Sequence, residues 1–376
     1  MSMARKKQGS LFIILFILAF GGLLISGYIW EVDRIQAVYG KPGRDLGIIE
    51  KISLNSRLLL AGDYLLSPGG ELRTGLFEVS EGESAGSIAE RLEQNGWIRD
   101  AQSFLVFLQY SGIDRELLPG MYSLKAGDNG IQLAHELHAG KGRLVRFVIL
   151  PGWRNEEIAF ALEGYDLGFS QEDFIHAVKD PGPFSGIAGV SPSTKSLEGR
   201  LFPGSYYLSR QITLDEFTRD LLLAFSNALT PQMELAYRNN GLTLDQAIVL
   251  ASIVEKETVL DVEAPLIASV FFNRLAAGMR LESDPTVQYA VGYDNTAGSW
   301  WKNPLSYEDL RFNSVYNTYI VAGLPPTAIC NPGEVSLQAV AKPAITNYYY
   351  FRAACDGSGK HEFSYTYEEH LSKGCP

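Results

Sequence analysis

The sequence predicts an α+β protein that opens with a transmembrane helix, continues through two strand-helix-helix-strand units and ends in a mixed α+β region. Three observations predict it. Residues Leu11 to Trp30 carry no charge. A pattern of strand, tight turn, two helices and returning strand occurs twice, with Phe77 of the first copy falling on Phe147 of the second. From about Leu242, a capped apolar helix precedes a second helix and then short strand-like runs. The 376 residues, 46% hydrophobic and 20% charged, suffice for two or three compact domains with substantial cores.

Residues 1–10 form a short tail containing Arg5, Lys6 and Lys7. The uncharged run 11–30 would span about 30 Å as a helix, enough to cross a bilayer, and the cations before it place the N-terminus in the cytoplasm. Ser26-Gly-Tyr-Ile-Trp30 runs into Glu31 without a small-residue cleavage site, so the segment reads as an uncleaved anchor and not a signal peptide. Everything after Trp30 then lies outside the cytoplasmic membrane. The net charge of −11 is more negative still for that part, because the three cations stay behind, and this argues against a nucleic-acid partner.

Residues 31–74 hold turn signals at Lys41-Pro-Gly43 and Ser67-Pro-Gly-Gly70 around short apolar runs, and read as a membrane-proximal spacer with some strand. The first unit covers 75–143. Its Phe77, Val79, Gly82, Ile88, Ala89, Leu92 and Glu93 align with Phe147, Ile149, Gly152, Ile158, Ala159, Leu162 and Glu163 of the second unit, 144–225. Pro119-Gly-Met-Tyr122 matches Pro203-Gly-Ser-Tyr206 at a larger offset, so the second copy has gained residues before its returning strand. Identities recurring in one alignment favour duplication over chance similarity of two amphipathic units.

The last region, 242–376, begins with Thr243 and Gln246 spaced as a capping box, which fixes a helix start. At about 100° per residue, Ala247, Leu250, Ala251 and Val254 form an apolar stripe, flanked by Glu255 and Glu257 roughly 200° apart. Two carboxylates so placed cannot act together on one face. A second helix is expected over Val262 to Ala277, ended by Gly278 as a left-handed cap. Asn347-Tyr-Tyr-Tyr-Phe351 reads as a strand. Cys330, Cys355 and Cys375 fall within the C-terminal part, in a compartment that permits disulfides, and Cys355 with Cys375 is the favoured pair. His361 and His370 lack the ligand spacing of zinc motifs, and no cofactor motif is present.

These residues carry a resemblance. Ser252-Ile-Val-Glu-Lys-Glu-Thr258, Ala268-Ser-Val-Phe-Phe-Asn-Arg-Leu275, Gly278-Met-Arg-Leu281, Ser283-Asp-Pro-Thr-Val287, Tyr316-Asn-Thr-Tyr319 and Gly323-Leu-Pro-Pro326 occur in the order found in the endolytic murein transglycosylases, the YceG-like proteins. The chain resembles that family from the apolar span to near the C-terminus. The resemblance implies a membrane-anchored enzyme acting on the glycan strands of peptidoglycan, with a LysM-like unit at 75–143, a catalytic region at 144–376 and penicillin-binding synthases as partners. It also implies that Glu257 is the catalytic acid. From the residues alone, either glutamate is equally readable as an ion-pair partner of Lys256, Arg274 or Arg280. Glu255 then becomes a supporting residue. Asp284, Gln288, Tyr316, Asn317 and Tyr319 are candidate supporting or substrate-binding residues, although Asp284-Pro-Thr also reads as a capped turn and Tyr316-Asn-Thr-Tyr319 as a half-buried strand. The implied reaction is a lytic transglycosylation that leaves 1,6-anhydro ends. A hydrolytic muramidase using Asp284 or Glu282 as second carboxylate, and a non-catalytic glycan-binding scaffold, are the alternatives.

Overall fold

A computed structural model describes residues 2–375 except 71–73, 140–142 and 166; the side chains of 2–15, 17, 18, 24, 25, 139 and 143 also lie outside the description. The chain divides into two units, Met1–Val145 and Arg146–Pro376.

In the first unit, α1 (Ser2–Tyr39) is followed by α2 (Ile48–Leu66). The span expected over Leu11 to Trp30 lies within α1, but many of its side chains are outside the described residues. Among the described residues, no helix is long and apolar enough to cross a membrane. The strand expected in the 31–74 spacer is instead helix. Leu54, Leu58, Ala61 and Leu65 recur at helical intervals and are all buried, so the turn signals at 41–43 and 67–70 bracket a helix. Then come β1 (Gly75–Val79), α3 (Ala85–Gln94), α4 (Ala101–Ser111), β2 (Gly120–Leu124) and α5 (Gly130–Ala139). Both unit helices start on side-chain caps: Ser84 accepts from the Ser87 N–H, and Asp100 from the Ser103 N–H at 2.6 Å. β1 and β2 pair antiparallel with Phe77 opposite Tyr122, and both rings are buried against Ile88, Leu92, Phe104 and Phe107.

β3 (Arg143–Ile149) carries the chain into the second unit; its first residues pair with β2. It leads into α6 (Asn155–Leu162), α7 (Gln171–Lys179) and β4 (Gly204–Ser209), the same element order as β1 to β2. Phe147, Ile158 and Leu162 are buried, as are their aligned counterparts Phe77, Ile88 and Leu92 in the first unit, and Phe174 of α7 is buried like Phe104 of α4. After α8 (Leu214–Ala228) and α9 (Pro231–Asn239) comes α10 (Leu244–Glu257), started by the Thr243/Gln246 capping box.

All eight residues from Ala247 to Val254 are buried, more than one stripe. The reason is that α10 is surrounded: α9, α11 (Ala264–Ala276), α12 (Asp284–Val291) and α13 (Glu334–Ala341) all pack on it. Ser252 is the polar residue in this stretch, and it is satisfied, donating to the Val249 carbonyl at 2.7 Å and accepting from the Ile329 N–H at 3.0 Å. α11 starts two residues later than the sequence suggested, because Asp261–Glu263 form a 3₁₀ turn before it. Its end is as expected, with Gly278 at φ +66°. The chain closes with an antiparallel pair, β5 (Tyr350–Ala353) and β6 (His361–Ser364), and α14 (Tyr367–Ser372). The strand expected over 347–351 thus starts later. Cys355 and Cys375 form a disulfide with Cα atoms 5.4 Å apart, and Cys330 is a buried free thiol.

Candidate active site

Glu257 is the last residue of α10, and the Thr258 hydroxyl donates back to the Val254 carbonyl at 2.7 Å to close the helix. Ile253 and Leu250, one and two turns earlier, are fully buried, so the Glu257 carboxyl emerges at the rim of the core. It is half-buried. The protein atoms packed round it strip enough water from the carboxylate to push its pKa up to about 7. The Ser283 hydroxyl works against this by donating to Glu257 Oε1 at 2.6 Å, the Asp284 charge adds to it, and the Arg274 guanidinium opposes it.

The Ser283 hydroxyl is free for this bond because it does not cap α12, although Ser283 sits at the N-cap position. A buried hydroxyl cluster fixes its backbone instead. The Ser283 N–H donates to Thr318 Oγ1 at 3.0 Å, the Thr286 hydroxyl donates to the Ser283 carbonyl at 2.7 Å, and the two threonine hydroxyls are 2.8 Å apart. The preceding residue, Glu282, has φ +49°, the one non-glycine residue with positive φ among those described. That conformation costs on the order of 1–3 kcal/mol and persists where the surroundings impose it, here at the turn that aims Ser283 at the acid. The Glu282 carboxylate faces Arg274 at 3.6 Å. Arg274 itself is buried and donates to the carbonyls of Tyr349 and Leu281, both at 2.7 Å.

The other candidates separate into two groups. Asp284 and Tyr319 stand beside the acid: the Tyr319 hydroxyl donates to Asp284 Oδ1 at 2.6 Å, and burial pushes the phenol up. Asp284 is the first residue of α12, not merely a capped turn. Glu255, Gln288, Tyr316 and Asn317 are engaged elsewhere. Glu255 Oε2 accepts from the Gly333 N–H at 3.0 Å and the Ser336 hydroxyl at 2.7 Å, holding the start of α13. Gln288 donates to the Lys302 carbonyl at 2.9 Å. Tyr316 bonds Thr327 at 2.7 Å and packs on the Tyr289 ring, centroids 4.9 Å apart. Asn317 is wholly buried and spends its amide on the Leu310 and Phe312 carbonyls and its oxygen on the Tyr319 N–H, so 316–319 is a turn and not a strand. Among the described residues, neither glutamate of the Glu-Lys-Glu segment has an ion pair.

Sequence reasoning gave Ser283 no role of its own, named Arg274 only as an ion-pair partner for the glutamates, and passed over Glu198. Glu198 is 2% exposed and accepts from the Asn155 N–H, the Asn331 amide and Tyr289; burial pushes its carboxyl well above the usual range. Nothing local marks it, since its partners lie far along the chain. Among the described residues, no group of three or more His, Cys, Asp or Glu side chains is placed to hold a metal ion. His361 instead pairs with Glu263 at 2.8 Å, tying β6 to the start of α11.

The arrangement is one acid of near-neutral pKa, oriented by a hydroxyl, beside a second carboxylate occupied by a tyrosine. The chain is 28% identical over 304 residues to the endolytic murein transglycosylase of Bacillus subtilis, covering 78% of this chain and 81% of that protein. It is 26% identical over 314 residues to the endolytic murein transglycosylase of Streptococcus pneumoniae strain D39, covering 78% of this chain but only 56% of that longer protein. A crystal structure of a YceG-like protein of Listeria monocytogenes superposes with a TM-score of 0.55 at 29% identity, over 80% of this chain and 99% of that one. The YceG-like family model matches residues 77–374. The chain therefore belongs to the YceG-like family.

Proposed function

We propose that the chain is an endolytic peptidoglycan lytic transglycosylase that cuts the β-1,4 bond between N-acetylmuramic acid and N-acetylglucosamine in nascent strands, and that Glu257 is its catalytic residue. The observation that carries the reading is the Glu257 carboxyl held near pH 7 with Ser283 on one oxygen. A group with that pKa supplies a proton at neutral pH and accepts one back. Glu257 protonates O4 of the departing N-acetylglucosamine as the C1–O4 bond breaks and positive charge builds at C1. The muramic acid 6-hydroxyl oxygen then bonds to C1 and passes its proton to Glu257, which leaves the enzyme protonated as it began. No water is consumed, and the product ends in a 1,6-anhydro ring. Ser283, donating to Oε1, leaves Oε2 to carry the proton and steadies the carboxylate formed midway.

A hydrolytic muramidase is the second reading, and Asp284 is what favours it: its charge lies near enough to raise Glu257, as a nucleophile or base carboxylate would. The bond from Tyr319 occupies one Asp284 oxygen and weighs against it. A non-catalytic scaffold leaves the raised carboxyl and its strained approach without a purpose. The uncharged run 11–30 supports a single-pass anchor with the remainder outside the cell membrane. The resemblance to the family supports a LysM-like glycan-holding role for the 75–143 unit and partnership with peptidoglycan synthases. The test is digestion of uncrosslinked glycan by the wild-type protein and by Glu257→Gln. The wild type should shorten the strands and the variant should leave them intact while retaining its circular dichroism. A variant that cuts normally refutes the assignment.

A further inference from the structure

The geometry points to a second glycan contact in the Arg146–Pro376 unit, a subsite for a neutral N-acetylhexosamine ring built from Trp153, Phe160, Tyr293, Trp300, Glu156 and Glu157. These side chains line a cavity of about 890 Å³ between α6 and the loop 293–300, a size within the range of small-ligand sites, roughly 300–1,000 Å³. The inference rests on the reading of the chain as a glycan-cleaving enzyme and adds where a more distant part of the strand is held.

The platform is rigid before anything binds. The loop is pinned on itself by Asp294 and Ser299, which exchange backbone hydrogen bonds at 2.8 and 3.3 Å. The Arg154 guanidinium lies over the Trp300 ring, 4.6 Å from its centroid, and the Tyr293 ring meets Trp300 edge-on at 5.1 Å. Phe160 is nonetheless 69% exposed and Tyr293 47% exposed, aromatic surface that the core does not use. Flat rings of this kind receive the C–H face of a pyranose.

The two carboxylates select the class of ligand. Glu156 Oε2 accepts from Arg154 Nε at 2.7 Å; Glu157 Oε2 accepts from the Arg154 N–H and the Trp301 indole N–H, both at 3.0 Å. The second oxygen of each has no hydrogen-bond partner among the described residues, so both are available to hydroxyl and acetamido N–H donors. No lysine or arginine lines the cavity, which disfavours an anionic sugar bearing a lactyl carboxylate. Arg154 offsets the Glu156 charge, and Glu157 is already held by two neutral N–H donors, which weakens the case for a cationic peptide. A neutral amino sugar satisfies both constraints. The cavity is also tied to the acid, because Lys256, the neighbour of Glu257, sets its ammonium 3.7 Å over the Trp301 ring.

The test uses the full chain. Glu257→Gln protein is titrated with the N-acetylglucosamine tetramer by tryptophan fluorescence, alone and with Phe160→Ala or Tyr293→Ala added, two exposed positions outside the core, each variant being checked for an unchanged circular dichroism spectrum. Each addition should weaken tetramer binding about tenfold, and in the active protein raise KM on uncrosslinked glycan by a similar factor with kcat and product ends unchanged. Unchanged tetramer affinity and unchanged KM in both variants overturn the subsite. So does binding at these residues of a lysine-bearing stem peptide in place of the tetramer. If the wild type forms no anhydro ends while tetramer binding still depends on Phe160 and Tyr293, the enzymatic reading fails and the subsite stands.

Discussion

Glu257 and its two polar neighbours make predictions of opposite sign. As a general acid it must start protonated, so kcat/KM should fall as pH rises through about 7. Ser283→Ala removes a donor that favours the charged form, so the alkaline limb should move up; kcat should drop on the order of tenfold as the carboxyl loses its orientation. Asp284→Asn removes a charge that disfavours ionisation and should move the limb down. Two shifts in the same direction would show that these groups do not face the acid as described. The raised pKa also has a stability consequence. Below the unfolded value of 4.5 the Glu257 carboxyl is protonated in both states; between 4.5 and about 7 the unfolded chain ionises more readily, so stability is lost as pH rises across that window. Glu257→Gln should therefore be more stable than wild type at pH 8, by about 1–2 kcal/mol once solvent at the half-buried edge is allowed for, and equal to it near pH 4. Urea melts at the two pH values check this. The segment Glu255-Lys-Glu257 was legible as two carboxylates on different sides of a helix, but which of them the fold leaves with a raised carboxyl was not. Only the resemblance singled out Glu257, because what distinguishes it is Ser283, brought in by folding from a separate turn.

Local signals succeeded where they were complete within a few residues. Thr243 and Gln246 start α10 because both halves of a capping box lie three apart, and Gly278 ends α11 because few other residues adopt positive φ cheaply. The misses have physical causes as well. α12 opens with Ser283-Asp-Pro, a turn signal, yet proline is tolerated in the first turn of a helix. α13 has eight residues, too few to show a period, and it is held by a bond its own sequence does not reveal, from Glu255 to Gly333 and Ser336. Glu255→Ala should accordingly destabilise the protein by about 1–2 kcal/mol, through loss of a charged acceptor at a helix N-terminus, while leaving kcat near wild type. Thermal melts alongside assays separate this from a catalytic role: a large fall in kcat without loss of stability would contradict it. The Cys355–Cys375 bridge, with a sequence separation of 20, should contribute about 3 kcal/mol, to be read as a lower Tm in Cys355→Ser.

At the scale of the whole chain, the order strand, helix, helix, strand recurs in β1 to β2 and β3 to β4 around aligned buried residues such as Phe77 and Phe147. That periodicity was readable because apolar spacing is local, whereas the helical character of 48–66 was obscured by the turn residues on either side. The units surround different chemistry. The Met1–Val145 core is apolar packing, and the Arg146–Pro376 core is built round α10, which carries the acid at its end. The central claim is that this single acid acts without water. Mass analysis of the ends released from uncrosslinked glycan tests it most directly. The account expects muramic acid termini lighter by one water, resistant to borohydride because the ring is closed as a 1,6-anhydride. Reducing muramic acid ends that accept borohydride and take their oxygen from labelled water would contradict it.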